Sequence, residues 1–389
     1  NANFVAMRFC RRDMMKYILL TGYVCFVLLL AGFVPRSFDE HKTLEIGAAA
    51  PDFHLIGVDD KTYDLASFKQ ADVLVVVFTC NHCPTAQAYE DRLIKLTSDY
   101  AGKNVAVVAI NPNDPASLRL DELDFSDLGD SFAEMKIRAR EKKFNFPYLY
   151  DGETETASRA YGPIATPHVF IFDKERKLRY QGRVDDMENP YKKPTSTDAR
   201  NAIDALLDHR DVPVKTTKVF GCSVKWSEKK ELVQKVKEKW AKEPVYLNLI
   251  SNDSVKILMK NPTGKLRLVY VWQLQSTPSV QEFPDFVSIN RMYRDRDFEL
   301  ISLCIDDPVN RDLVLKFLQK QEASNINYLL RAGDKNTMTS ALNSLWHGGF
   351  PFTMLVEPGG EIVYSNEGPL DPAKLKTIIV NNHLLGRYP

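Results

Sequence analysis

The 389-residue sequence contains few cysteines and no excess of charge of either sign. The six cysteines are Cys10, Cys25, Cys80, Cys83, Cys222 and Cys304. A set this sparse and scattered excludes a disulfide scaffold, and the closely spaced pair Cys80 and Cys83 favours redox chemistry. Lysine and arginine number 51, as do aspartate and glutamate, so the overall charge predicts no nucleic-acid partner.

Patterns that bind metals or cofactors are also scarce. Neither a second C-x-x-C nor an H-x-x-x-H accompanies Cys80 and Cys83, so a structural zinc site would lack half of its ligands. A copper site made of these two cysteines and a distant histidine is a further alternative. The sequence implies no bound organic cofactor, because the electrons of such a pair come from other thiols.

The chain is organised around residues 73–84, which read V-L-V-V-V-F-T-C-N-H-C-P. The apolar run 73–78 predicts a buried strand, and Pro84 opens a helical pattern that continues to residue 100. We therefore expect Cys80 to lie at a helix N-terminus, where the helix dipole favours the thiolate. Cys80, nearer to solvent, is then the nucleophile, and Cys83 attacks the mixed disulfide from one turn inside the helix.

Four other side chains have expected roles or positions. His82 lies between the cysteines, where a partly cationic imidazole stabilises the Cys80 thiolate and makes the disulfide a better oxidant; a solvent-facing polar role is the alternative. Cys222, in F-G-C-S-V-K-W, is expected to pack back on its domain, with a third redox role as the alternative. Cys304 is expected in the core and His168 on the sheet surface.

Four motifs together resemble the redoxin branch of the thioredoxin superfamily, which includes alkyl hydroperoxide reductase and thiol-specific antioxidant proteins. They are G-x-x-A-P-D-F at 47–53, F-T-C-N-H-C-P at 78–84, A-I-N-P-N-D at 109–114 and A-T-P-H-V-F at 165–170. The resemblance covers residues 44–226 and implies an α/β fold with helices on both sheet faces. It also implies a cis bond between Thr166 and Pro167 that faces the disulfide and leaves the Thr166 backbone free to pair with an extended substrate.

The predicted elements follow the thioredoxin order of strand, helix, strand and then two antiparallel strands. Strands are expected at 61–65, 73–78, 105–110, 148–150, 169–172 and 179–182, and helices at 84–100 and 132–144. The segment 113–130, rich in aspartate and proline, is longer than a usual connection and is expected to be an insertion near the site.

The sequence departs from the family pattern at three positions. Thr79 replaces the tryptophan that commonly precedes the first cysteine, and Leu74 stands where thioredoxin has its buried acid. Loss of that proton acceptor argues against efficient reductase behaviour. Peroxiredoxins need threonine three residues before the reactive cysteine, and Val77 stands there before Cys80, which argues against a peroxidase.

A second, similar unit is predicted after Trp226. Residues 266–279 resemble the W-x-x-C-G-P-C segment of thioredoxin-like proteins that serve cytochrome c maturation, with Ser276 and Ser279 in place of the cysteines. A cis-proline strand is expected at 349–356. We therefore predict two tandem thioredoxin-like folds, at 44–226 and 227–389, of which the second is redox-silent.

The first forty residues have the composition of an export signal. Basic residues at positions 8, 11, 12 and 16 precede eighteen uncharged residues, 17–34. This pattern predicts either a signal peptide or an uncleaved membrane anchor, with the catalytic domain periplasmic or otherwise outside the cytoplasm.

These observations predict a thiol–disulfide oxidoreductase that exchanges disulfides with protein thiols through Cys80 and Cys83. Its site would include His82, Thr166 and Pro167, and its partners would be protein thiols or disulfides and a redox partner protein. The alternatives are a non-enzymatic metal-binding or assembly module and a thiol-dependent peroxidase.

Overall fold

The computed structural model of the protein describes residues 41–331, 342 and 346–388. The predicted export segment, residues 1–40, lies outside these described residues. Lys42–Pro389 form one compact unit, and the predicted division of this unit between residues 226 and 227 stays a prediction. Within the described ranges, we find no helix with the length and apolarity needed to cross a bilayer.

The first half of this unit is built on a seven-stranded mixed sheet. Its strands are β1 (Leu55–Gly57), β2 (Thr62–Tyr63), β3 (Val73–Phe78), β4 (Val105–Asn111), β5 (Tyr148–Tyr150), β7 (His168–Phe172) and β8 (Leu178–Gly182). The spatial order is β2-β1-β5-β4-β3-β7-β8. Strand β3 is parallel to β4 and antiparallel to β7, so the predicted thioredoxin order is confirmed.

Helices cover both faces of this sheet. They are α1 (Pro84–Asp99), α2 (Phe132–Lys142), α3 (Thr156–Tyr161) and α4 (Asp198–Leu207). All six residues of β3 are buried, because alternate side chains enter different cores. Val73, Val75 and Val77 pack in the core that holds Tyr89 and Leu93 of α1, and Leu74, Val76 and Phe78 pack in the core that holds Tyr161 of α3.

A second, six-stranded sheet repeats the same central arrangement. Its strands are β10 (Asn248–Ile250), β11 (Leu266–Trp272), β12 (Phe298–Cys304), β13 (Ile326–Leu330), β14 (Phe352–Val356) and β15 (Ile362–Glu367). Strand β11 is parallel to β12 and antiparallel to β14, as β3 is to β4 and β7. The fold class is therefore mixed α/β with two tandem thioredoxin-like sheets, as predicted.

The helices of the second half are α5 (Lys230–Trp240), α6 (Asn252–Met259), α7 (Thr277–Tyr293), α8 (Arg311–Lys320) and α9 (Pro372–Asn381). Helix α7 follows β11 as α1 follows β3. The Phe350–Pro351 bond is cis, like the Thr166–Pro167 bond of the first half. Cys304 at the end of β12 is 1% exposed, which confirms its predicted place in the core.

The insertion at 113–130 contacts the second half through buried polar groups. Asp127 accepts hydrogen bonds from Nη1 and Nη2 of Arg387, both at 2.7 Å, and from the hydroxyl of Thr377 at 2.8 Å. The hydroxyl of Tyr293 donates to the carbonyl of Ser126 at 2.8 Å. These contacts hold the insertion against α7, α9 and the C-terminal residues.

Replacing Asp127 with alanine should destabilise the protein. The change removes two hydrogen bonds from Arg387, which is 16% exposed, and one from Thr377. Hydrogen bonds to charged groups contribute about 1.5–3 kcal/mol each, but water can replace part of them at the partly exposed Arg387 and Thr377, so we expect a loss of roughly 2–4 kcal/mol in the free energy of unfolding. Urea denaturation measures it, with Asp208→Ala, which removes an exposed ion pair with Arg210, as the matched control. Equal stability of the two variants would contradict this account.

Candidate active site

The C-x-x-C pair lies where β3 ends and α1 begins. Cys80 comes two residues after the last residue of β3, and Cys83 is the N-cap of α1. Pro84 is the first helical residue, where its fixed φ and missing N–H are tolerated. The helix therefore begins after Cys83, and the prediction that Cys80 itself lies at the helix N-terminus is wrong by one turn.

Thr166 brings the two sulfurs together. The Cys80 Sγ lies 3.1 Å from the Thr166 Oγ1, and the Cys83 Sγ donates to the Thr166 carbonyl at 3.3 Å. Both cysteines are free thiols in this structure. The bond from Thr166 to Pro167 is cis, as predicted. Four of the predicted site residues thus lie in one cluster.

The cluster is shielded from solvent. Cys80 is 3% exposed and Cys83 is fully buried, so Cys80 is the nearer of the two to solvent, as predicted, although both are buried. The expectation that the backbone of Thr166 is free is wrong. Strand β6 (Ala165–Thr166) pairs antiparallel with β9 (Cys222–Ser223), in the register Thr166 to Cys222. The chain itself thus occupies the edge that we expected an extended substrate to use.

His82 is held by an aspartate that the sequence analysis missed. Its Nδ1 lies 2.6 Å from the Oδ2 of Asp130, and both side chains are buried. Asp130 also accepts from the backbone N–H of Asn81 at 2.8 Å and from the Nδ2 of Asn113 at 2.7 Å. The alternative that His82 faces solvent is therefore wrong. One signal was available, because Asp130 directly precedes the S-x-x-E capping box that begins α2.

Each member of this pair favours the charged form of the other. Burial opposes the charged form of His82, but the charge and hydrogen bond of Asp130 raise the pKa of His82 above its ordinary value. Burial likewise opposes ionisation of Asp130, and the charge and hydrogen bond of His82 nevertheless lower the pKa of Asp130. The structure therefore favours the charged form of each member of this buried pair next to the cysteines.

The two thiols differ in their tendency to ionise. Burial, the hydrogen bond with Cys83 and the charge of Asp130 raise the pKa of Cys80. Burial also opposes ionisation of Cys83, but hydrogen bonds from Cys222 and Cys80 outweigh it and lower the pKa of Cys83. The charge of His82 acts in the same direction. The structure therefore favours the thiolate at Cys83, and the expectation that His82 stabilises a Cys80 thiolate is corrected.

Cys222 lies against the cysteine pair. Its backbone N–H donates to the Cys83 Sγ at 3.3 Å, and its side chain packs with Cys80 and Cys83. The preceding residue, Gly221, has φ +130°, and a Cβ placed there would lie 2.0 Å from the Thr166 carbonyl oxygen. Only glycine allows this segment to approach the cis-proline turn so closely.

Substituting Gly221 with alanine should uncover the cysteines. The added Cβ forces β9 away from Thr166, so Cys80 and Cys83 should react with iodoacetamide at least about tenfold faster. Mass spectrometry of timed samples measures the two rates. Gly102→Ala is the matched control, because Gly102 also has a positive φ but no atom lies within 4 Å of its Cβ position. Unchanged rates in Gly221→Ala would show that β9 does not shield the pair.

His168 does not lie on the sheet surface as predicted. It is fully buried, and its Nε2 lies 3.0 Å from the Gln181 Oε1. Its Nδ1 accepts from the backbone N–H of Ile164 at 3.4 Å. Burial lowers the pKa of His168 to about 4, so this ring is neutral at physiological pH. It fixes the strand after Pro167 and does not contact the cysteines.

The corresponding position of the second sheet has hydroxyls in place of sulfurs. Ser276 is the N-cap of α7, and its Oγ accepts from the backbone N–H of Ser279. The same Oγ donates to the carbonyl of Phe350, before the second cis proline, at 3.5 Å. Ser279 is fully buried. These serines cap a helix, and they offer no thiol for exchange.

A strand that ends in a C-x-x-C pair, continues into a helix and faces a cis-proline turn defines a thioredoxin-like thiol protein. The match to family models is more specific: residues 46–181 match the AhpC/TSA family. The predicted redoxin resemblance is therefore confirmed for the first half.

The individual relatives are either named as thiol–disulfide oxidoreductases or have no stated function. The chain is 26% identical over 171 residues to the thiol-disulfide oxidoreductase ResA of Bacillus cereus, covering 42% of this chain and 87% of the relative. It is 38% identical to an uncharacterized conserved protein from Geobacillus kaustophilus, with a TM-score of 0.43, covering 48% of this chain and 94% of that one. A hypothetical protein from Sinorhizobium meliloti is 34% identical, also with a TM-score of 0.43, over 48% of this chain and 97% of that one.

Proposed function

We propose that the protein is a thiol–disulfide oxidoreductase that exchanges disulfides with protein thiols through Cys80 and Cys83. The observation that carries the proposal is the position of the two sulfurs, each within 3.3 Å of an atom of Thr166. The assignment agrees with the family of residues 46–181 and with the name of the Bacillus relative.

The pair is suited to act as an oxidant. A thiolate with a low pKa is a good leaving group, and its stabilisation favours the reduced form of the pair. The buried charge of His82 and the hydrogen bonds to Cys83 both act in this direction. We infer that the Cys80–Cys83 disulfide accepts electrons from partner thiols and returns to the dithiol.

The exchange balances in electrons and protons. A partner thiolate attacks the Cys80 sulfur, the bond between Cys80 and Cys83 breaks, and Cys83 leaves as the thiolate. A second partner thiolate then attacks the sulfur that is bound to Cys80, and Cys80 leaves and takes up a proton. The partner thereby gains one disulfide and gives up two electrons and two protons. The pair gains both electrons and, at Cys80, one proton; the other proton passes to solvent, because Cys83 stays a thiolate.

We propose that this exchange takes place outside the cytoplasm. The support comes from the sequence alone, in the basic residues before the uncharged stretch 17–34. Protein thiols that need a disulfide are found in such oxidising compartments. Membrane attachment through the same stretch is part of this proposal, as is a separate protein that reoxidises the pair.

A stoichiometric transfer experiment tests the proposed reaction. Oxidised protein mixed with an equal amount of a reduced peptide that contains two cysteines should yield one peptide disulfide per protein. Peptide mapping should then find Cys80 and Cys83 as new thiols. No transfer, with the Cys80–Cys83 disulfide intact, would refute the proposal. Rapid consumption of hydrogen peroxide without transfer would support the thiol peroxidase instead.

Metal binding is the second candidate function. Ligand atoms of Cys80, His82 and Asp130 all lie within 4.8 Å of one another. Against it, the Nδ1 of His82 and the Oδ2 of Asp130 already satisfy each other at 2.6 Å. Equilibrium dialysis of the reduced protein against Zn²⁺ or Cu⁺ separates the two functions. Tight binding that is lost in Cys80→Ser, together with no disulfide transfer, would favour the metal site.

A further inference from the structure

We propose that Cys222 is a third redox residue that takes the disulfide from the buried pair and presents it at the surface. The inference rests on the proposed thiol–disulfide exchange and names the residue through which partners reach the site. It explains how a pair of cysteines of which one is 3% exposed and the other fully buried can react at all.

The position of Cys222 is fixed by backbone contacts on both sides. Its pairing with Thr166 puts it beside the residue that touches both sulfurs. Three residues later, the Lys225 N–H donates to the Asn113 Oδ1 at 2.8 Å, and the Lys225 carbonyl accepts from the Asp114 N–H at 2.9 Å. The segment that carries Cys222 is therefore anchored across the site.

Among these three neighbouring cysteines, Cys222 is the one that solvent reaches. Cys80 and Cys83 are buried, whereas Cys222 is partly exposed. Its side chain packs against Cys80 and Cys83, and its backbone N–H donates to the Cys83 Sγ at 3.3 Å, so Cys222 lies next to the sulfur it would attack. An antiparallel strand that carries a cysteine to this edge holds it in the position expected for a bound substrate.

The transfer needs no outside oxidant, because it exchanges one disulfide for another. The Cys222 thiolate attacks the Cys83 sulfur of the Cys80–Cys83 disulfide, and the bond between Cys80 and Cys83 breaks. Cys80 leaves and takes up the proton that Cys222 gave away, next to the Thr166 hydroxyl at 3.1 Å. The product is a Cys83–Cys222 disulfide, of which the residue Cys222 is partly exposed in this structure.

The partner reaction then starts at the surface. A partner thiolate attacks the Cys222 sulfur, and Cys83 leaves as the thiolate that its surroundings stabilise. A second partner thiolate attacks the sulfur bound to Cys222, and Cys222 returns to the thiol. As in the direct reaction, the partner gives up two electrons and two protons, and the protein takes up both electrons and one proton, the other passing to solvent.

The charges of the site favour this order of events. In the reduced protein, the hydrogen bond with Cys83, burial and the charge of Cys83 all raise the pKa of Cys222, while the charge of Lys225 lowers it. When Cys83 is part of a disulfide its negative charge is gone, and Lys225 remains. Cys222 therefore ionises more easily when there is a disulfide for it to attack.

A trapped disulfide tests the proposal. Cys80→Ala leaves Cys83 and Cys222 as neighbours, so oxidised glutathione should convert them to one disulfide and release two glutathione molecules. Peptide mapping should find Cys83 linked to Cys222, and Cys80→Ser provides a second variant with the volume of the cysteine closely kept. Glutathione adducts that persist on Cys83 or Cys222 in both variants would overturn the proposal.

A kinetic comparison separates this proposal from the proposed function. Cys222→Ala should still form the Cys80–Cys83 disulfide, but its oxidation of the dithiol peptide should be at least about tenfold slower than in the wild type. Ser223→Ala, a change of the exposed neighbour on β9, is the matched control and should keep the wild-type rate. An unchanged rate in Cys222→Ala would refute the role of Cys222 alone, whereas a wild type without transfer would refute the proposed function.

Discussion

Replacing Cys83 with alanine should abolish disulfide transfer. Cys83 is the sulfur shared by both disulfides in this account, the Cys80–Cys83 bond and the Cys83–Cys222 bond. Its removal leaves no leaving group with a lowered pKa, so we expect the rate of dithiol oxidation to fall by roughly a thousandfold or more. The rate of peptide disulfide formation, followed by chromatography, measures the loss.

The matched control for this variant is another buried cysteine. Cys304→Ala removes a thiol that is 1% exposed at the end of β12, where its Sγ donates to Asp306 at 3.1 Å. It should retain the wild-type rate, because Cys304 lies in the core of the second sheet. A Cys83→Ala protein that folds and keeps more than half of the wild-type rate would contradict the account.

Exchanging Asp130 for asparagine should cause the largest loss of stability. The change leaves the imidazolium of His82 buried without its carboxylate, and breaking a buried ion pair in this way costs about 3–5 kcal/mol. Urea denaturation measures the change. Asp121→Asn, in the same insertion but in a pair with Arg119 that is 28–29% exposed, is the matched control and should lose less than about 1 kcal/mol.

The effect of Asp130→Asn should depend on pH. Because the pKa of His82 is raised in the folded protein, its contribution to the free energy of unfolding is complete below the ordinary histidine pKa. That contribution is lost as the pH rises through the raised value. The lowered pKa of Asp130 means that its contribution is present above the ordinary aspartate pKa and is lost as the pH falls through the lowered value. The destabilisation should thus be largest between about pH 4 and 6.5. A loss that does not change from pH 5 to pH 9 would argue against an ion pair.

The parts of the fold that local sequence determines were predicted well. The run 73–78 has six apolar residues because β3 is buried on both faces, and its predicted bounds match the observed strand. Pro84 begins α1 for the reason that proline is tolerated in a first turn. The cis bond before Pro167 followed from the family resemblance and from no local pattern.

The parts that depend on contacts between distant residues were missed. Asp130 lies 48 residues from His82 in sequence, in an irregular segment with no periodicity to place it. Cys222 was expected to pack back on its domain, but its contact with Cys83, 139 residues away, was not predicted, because its two-residue strand is too short to give a signal. Burial of the cysteine pair follows from that strand, so the sequence could identify the candidate residues but not what covers them.

The occupied edge at Thr166 also changes what a partner must do. A protein thiol that approached the pair directly would have to displace β9 and the anchored Lys225. The exchange through Cys222 leaves both in place. Faster alkylation in Gly221→Ala together with slower transfer in Cys222→Ala would therefore show that β9 shields the cysteine pair and that its Cys222 also takes part in disulfide transfer.

The most direct test of the central claim is a redox titration of the wild-type protein in glutathione buffers, with alkylation and peptide mapping at each potential. The account predicts that the thiols of Cys80 and Cys83 disappear together in one two-electron transition. The potential should be less negative than the roughly −270 mV of thioredoxin, because the Cys83 thiolate is stabilised. Thiols at Cys80 and Cys83 that stay reduced across the whole range of buffers would contradict it.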